Sequence, residues 1–113
     1  MSYRNLEVSQ VPLLFPVRVI VAAGTTRTIS FVDEFVGVAT SLNFQNEDGA
    51  NAATFRYGGE ALPSMNLPAS SFRTIDNTQV KLCQVVAGAA GDTIVEAQCI
   101  PYKRPQLEEV KAL

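Results

Sequence analysis

From Val17 onward the chain alternates apolar and polar positions at a period near two, in short bursts separated by turn residues. That period predicts strands, because successive side chains of a strand point to opposite faces. Val17 to Ala22 is apolar and β-branched, and predicts a first strand. Gly24 turns the chain. Thr25 to Phe31 predicts a second strand, with Thr26, Thr28 and Ser30 on one side and Arg27, Ile29 and Phe31 on the other. Phe35 to Phe44 is a further apolar stretch in which Gly37 weakens any helix. Asn46-Glu-Asp-Gly49 is the strongest turn signal, since Asp-Gly readily supplies positive φ. It predicts a hairpin whose second arm, Ala52 to Tyr57, closes at Gly58-Gly59. Leu62-Pro63 and Leu67-Pro68 enforce extended backbone, and Ser71 to Ile75 predicts a strand turned by Asp76-Asn77.

The last hairpin is the best defined of these elements. Val80 to Ala87 and Thr93 to Ile100 flank Gly88-Ala-Ala-Gly-Asp92. In the second arm Val95, Ala97 and Cys99 alternate with Glu96 and Gln98, one buried face and one wet face. Cys83, Val85 and Ala87 are expected to face the same core, and Pro101 ends the pairing. Short strands at this spacing predict an all-β fold, a single antiparallel β-sandwich, with a small barrel or a jelly roll among the topologies open to it. The flanks lack the period. The expected organisation is an extended N-terminal arm (1–16), a sandwich domain (17–101) and a C-terminal tail (102–113) that starts extended and finishes as a short helix from Leu107 to Leu113.

Composition narrows the function. At 113 residues, 47% apolar and 18% charged, the chain fits one domain that can hold a core without metals or staples. Its net charge is −2 and its nine Lys and Arg residues are scattered, which argues against nucleic acid as a partner. The longest apolar stretch, Val11 to Ala23, is interrupted by Pro12, Pro16 and Arg18 and falls short of the roughly 20 residues that span a bilayer. The start MSYRNLEVSQ carries Glu7 and no apolar core leading to a small-residue cleavage site, so no export signal is expected. Cys83 and Cys99 are then expected as buried, inert thiols, a cross-strand disulfide being the lesser alternative. Two thiolates without histidine leave a zinc shell half empty.

There is no histidine and no tryptophan. A hydroxyl nucleophile would need Lys81 as its base, and Lys81 is expected to point outward. A carboxylate pair would draw on Asp33, Glu34, Glu60, Asp76 or Glu96, and no spacing singles out two of them. Gly88-Ala-Ala-Gly91 lacks the Gly-Lys-Ser/Thr of a phosphate loop and leads into a strand, so a turn is the better reading. Asn46, Glu47 and Asp48 offer oxygens to calcium, but six or more must converge, and a solvated turn is favoured. Phe55, Arg56, Tyr57 and Arg73 are residue types found at interfaces, and equally a core aromatic beside a solvated strand face. No catalytic residue, metal or cofactor is expected.

Thr40-Ser-Leu-Asn-Phe-Gln-Asn-Glu-Asp-Gly49, Ala53-Thr-Phe-Arg-Tyr-Gly-Gly59, Leu67-Pro68 and Val80-Lys-Leu-Cys-Gln-Val-Val-Ala-Gly88 with its return strand follow one another in order. Over about residues 40 to 100 this order resembles small β-sandwich accessory proteins of tailed bacteriophage particles. The resemblance implies a non-enzymatic virion structural protein: a capsid cement or decoration subunit, or alternatively a tail, neck or fibre module. It implies the major capsid protein or other virion proteins as partners, a homo-oligomer (dimer or trimer), and a place in the virion after assembly in the host cytoplasm. It transfers no catalytic residues.

The flanks fit that implication independently. They carry Leu6, Val8, Leu13, Leu14, Phe15, Tyr102, Leu107 and Val110, apolar side chains that a sandwich core need not consume. These are the candidate interface residues, ordered on a neighbouring subunit, and the competing reading makes the first arm an edge strand of its own sheet. A carbohydrate- or host-protein-binding sandwich is the alternative from a different class, lowered by the absence of tryptophan as a stacking platform.

Overall fold

Val17, Val19 and Val21 are buried while Pro16, Arg18 and Ile20 face outward, and this strict alternation makes β1 (Phe15–Val21) a strand with one wet face. The computed structural model to which it belongs describes residues 13–58 and 63–102. β2 (Thr26–Ser30) buries Ile29 and ends where a short helix, α1 (Phe31–Phe35), begins. The second predicted strand therefore stops one residue early. The Ser30 hydroxyl accepts the Asp33 N–H at 3.2 Å, and the Glu34 carboxylate accepts the Ser30 N–H at 3.0 Å. This reciprocal cap outcompetes strand geometry for one turn. The Arg27 guanidinium pairs with Glu34 and ties the turn back to β2. Val36 closes α1 in the left-handed region, at φ 53°.

β3 (Gly37–Asn46) is the longest strand and carries a bulge, its register against β8 slipping between Ala39 and Ser41. The extra residue resets the phase, so that Ala39 and then Leu42 and Phe44 all reach the core. β4 (Ala53–Tyr57) and β5 (Met65–Leu67) follow, then β6 (Phe72–Ile75), β7 (Leu82–Val86) and β8 (Thr93–Pro101). Pro16 and Pro101 interrupt little, because β1 is an edge strand and Pro101 is the last residue of β8.

Two four-stranded antiparallel sheets result, ordered β1-β8-β3-β6 and β2-β7-β4-β5. Every connection except β4 to β5 crosses from one sheet to the other. This is the jelly-roll form of the all-β sandwich. It corrects both predicted hairpins. Asn46–Gly49 carries the chain from β3 in the first sheet to β4 in the second, and Gly88–Asp92 carries it from β7 back to β8. Alternation marks the buried face correctly in both arms of the last one, with Cys83, Val85, Ala87, Val95, Ala97 and Cys99 all in the core. It cannot distinguish a strand that pairs alongside from one that faces across the core, since both bury the same positions.

The layers meet on Phe44 and Phe55, one from each sheet, whose rings stack at 4.2 Å between centroids and 19° between planes. Ile29, Leu67 and Val85 pack from the second sheet, and Val21, Leu42 and Val95 from the first. Among the described residues one buried side-chain polar atom lacks a hydrogen-bond partner, the Thr93 hydroxyl. No helix among them is long and apolar enough to cross a membrane.

Candidate functional site

β1 begins and β8 ends side by side. Phe15 pairs with Cys99, and Pro101 pairs with Gly37, so the chain enters and leaves the first sheet at one end of the sandwich. Leu13 is 79% exposed there and Leu14 57%. Val36, 61% exposed, lies at the same end, and its carbonyl accepts the Tyr102 N–H at 2.9 Å. The Lys81 ammonium sits 5.3 Å from the centre of the Tyr102 ring, a cation–π contact that steadies the start of the tail. Lys81, just before β7, is exposed, in line with the expected outward side chain.

Phe15 departs from the expectation that the core has no use for it. It belongs to β1, is half-buried and packs against the core. Gly37 makes room for it: a Cβ at that position would come within 2.6 Å of the Phe15 ring. The strand thus starts two residues before the expected boundary, and Phe15 belongs to the sheet. Leu13, Leu14 and Tyr102 are brought to one end of the molecule. Leu6, Val8, Leu107 and Val110 lie outside the described residues, as does Glu60.

Several of the remaining sequence candidates have structural roles, and Asp76 is exposed. Asp33 and Glu34 cap α1, and Glu96 faces outward beside Arg18 at 3.7 Å. Phe55 is core, Tyr57 packs against it, and Arg73 is exposed on edge strand β6. Cys83 and Cys99 are free thiols buried in opposite sheets. Burial pushes Cys83 up to about 12, with Glu34 adding to the rise and Arg27 opposing it, and burial raises Cys99 as well. Neither forms a ready thiolate. A disulfide-exchange reagent at pH 8 is therefore expected to leave both unlabelled in the native protein and to titrate two thiols after denaturation. Rapid native labelling would contradict this burial.

Asn46–Asp48 is neither a calcium loop nor a solvated turn. Glu47 is exposed, but Asn46 and Asp48 are buried. The Asp48 carboxylate accepts four N–H groups: backbone Ala50 at 2.8 Å and Asn51 at 2.9 Å on one oxygen, and Ala90 at 2.9 Å and the Asn51 amide at 3.0 Å on the other. The Asn46 amide donates to the carbonyls of Asn51, Leu67 and Pro68, and its oxygen accepts the Asp48 N–H. Two side chains thereby fasten three connections that close one end of the sandwich. The signal was present in the sequence, because Asn and Asp bond backbone N–H groups a few residues ahead. Gly88-Ala-Ala-Gly91 is part of this junction, and a Cβ on Gly91 would lie 2.5 Å from the Asp48 Cα. Among the described residues no group of three His, Cys, Asp or Glu side chains could hold a metal ion.

No family model matches the chain, and no curated protein matches it. Among solved structures it is similar to a chain of Bacillus endospore appendages, which form a family of disulfide-linked pili (15% identity over 80% of this chain and 91% of that one, TM-score 0.46). It is also similar to a de novo designed double-stranded β-helix (14% identity, 74% and 97% covered, TM-score 0.47). A third is hydroxypropylphosphonic acid epoxidase from S. wedmorenis (16% identity, 76% of this chain, TM-score 0.44), of which the chain spans only 42%. Likenesses this distant carry no argument about function.

Proposed function

We propose that this chain is a non-enzymatic structural subunit of a tailed-phage particle, a capsid cement or decoration protein that grips the major capsid protein through its terminal arms. The observation that supports the reading is the convergence of Leu13, Leu14, Val36 and Tyr102 on the end where the chain enters and leaves the fold. Burying a leucine contributes about 1.5–3 kcal/mol, and ordering each residue of an arm costs about 1–2 kcal/mol of backbone entropy. A few arm residues on one subunit therefore hold weakly. A dimer or trimer that presents several arms to a symmetric shell multiplies the grip, because each contact after the first is intramolecular. Assembly in the host cytoplasm is compatible with the reduced thiols.

The test is cosedimentation with purified empty capsid shells. The full chain is expected to pellet with the shells. A variant lacking residues 1–12 and carrying Leu13→Ser and Leu14→Ser is expected to stay in the supernatant with an unchanged melting curve, since neither leucine contributes to the core. Pelleting of that variant at the level of the full chain would remove the arms from the mechanism.

A further inference from the structure

The outward face of the first sheet is built in rows. Pairing aligns Arg18 with Glu96, Glu96 with Asn43, and Asn43 with Thr74, across all four strands. With Ser41 and Gln98 from the next row, these side chains line an open trough of about 490 Å³. That volume lies within the roughly 300–1,000 Å³ typical of small-ligand sites. The row on the other side is apolar except at one position: Ile20, Ile94, Gln45 and Phe72 are in register. Phe72 is 71% exposed and stands two residues from Thr74 on β6, hence on the same face of the sheet. The Thr74 hydroxyl lies 3.0 Å from the Asn43 side-chain oxygen and donates to it, fixing the floor between the two strands.

We infer that this trough binds a neutral oligosaccharide, with Phe72 as the platform on which a pyranose ring stacks. Charge selects the class. Arg18 lies beside Glu96 at 3.7 Å, so the lining offers no net charge to a phosphate, a sulfate or a metal ion. The polar inventory supplies what vicinal hydroxyls require: amide and guanidinium donors, carboxylate and amide acceptors, and hydroxyls that serve as either. A pyranose has a hydroxyl rim and an apolar C–H face, and the trough sets a polar floor beside an exposed aromatic ring in the same way. The side chains stand on paired strands of one sheet, so little order has to be created on binding. Phe72 replaces the tryptophan whose absence lowers a sugar-binding reading of the sequence. The site is separate from the arms, and its failure would leave the capsid reading untouched.

The experiment screens the full-length protein on an array of neutral glucans, mannans and galactans beside sulfated and sialylated glycans, then titrates the best neutral ligand by calorimetry. Phe72→Ala and Asn43→Ala are each expected to weaken Kd by ~10-fold; loss of the exposed ring should leave the melting curve unchanged, and loss of the half-buried amide, which accepts the Thr74 bond, should lower it slightly while the domain stays folded. Three results would overturn the assignment: no neutral glycan retained, retention confined to sulfated or sialylated glycans, or wild-type affinity in both variants. Wild-type cosedimentation with capsid shells by Phe72→Ala is expected in every case.

Discussion

Asp48→Ala is expected to lower the melting temperature by ~10 °C, the cost of losing at once the four part-buried hydrogen bonds that converge on one buried carboxylate. The carboxylate gathers the N–H groups of Ala50, Ala90 and Asn51 and the Asn51 amide, and so joins the β3–β4 and β7–β8 connections, which have no ladder of their own there. The same geometry gives the effect a pH signature. The Ala50 N–H above all, then that of Ala90, holds Asp48 well below the usual carboxylate range, against the opposing pull of burial. A carboxylate depressed by folding contributes stability that is complete above its unfolded value, about 4, and is lost as pH falls toward its folded value. Urea midpoints measured between about pH 5 and 2 should therefore fall more steeply for the wild type than for Asp48→Asn. Parallel slopes would show that the charge is not what the junction uses. Gly91→Ala tests the same place from the other side, since its Cβ would meet the Asp48 Cα at 2.5 Å and N at 2.7 Å, backbone atoms that cannot rotate away.

Phe44→Ala is expected to cost about 3–5 kcal/mol, a large share of the 5–15 kcal/mol that holds a domain of this kind. Phe44 is fully buried and stacks on Phe55 from the facing sheet. Its loss opens a cavity between rigid layers that can collapse only in part. Phe55→Ala should cost a similar amount. The double variant should fall short of the sum by about 0.5–1.5 kcal/mol, because each single change already removes the shared ring contact. Urea denaturation of the three variants checks this, and simple additivity would mean that the stacked pair carries no energy beyond burial.

Much of the architecture was legible in the sequence because burial in a sandwich has a period of two. Val95, Ala97 and Cys99 in β8 announced both strand and inward face, and the β-branched run from Val17 announced β1 as a strand. Three things were hidden for distinct reasons. Partner choice was hidden because Cys83 and Cys99 look alike whether their strands pair or oppose, and the turn glycines at 88 and 91 suit either. Helix α1 was hidden because Ile29 and Phe31 continue the strand period through its first residue, while the cue lay in Ser30 with Asp33 three positions on. The burial of Asp48 was hidden because a carboxylate in a turn is ordinarily wet, and its donors come partly from Ala90, 42 residues away. The arms divided at Phe15: its aromatic character is the same for a core anchor as for a docking residue, and only the space over Gly37 decides. The trough was invisible for a related reason. Arg18, Asn43, Thr74 and Glu96 become neighbours only through register.

β8 lies between β1 and β3, so the first sheet has no middle until residues 93–101 are in place. On the ribosome β1, the first of the described strands to be made, must wait for β8, the last of them, and of their consecutive pairs only β4 and β5 can close early. Such order, dominated by distant pairings, makes folding slow and all-or-none, and leaves open strand edges in the nascent chain. A stop codon a few residues into β8 would thus not yield a slightly smaller domain. It would leave half a sandwich with its edges bare.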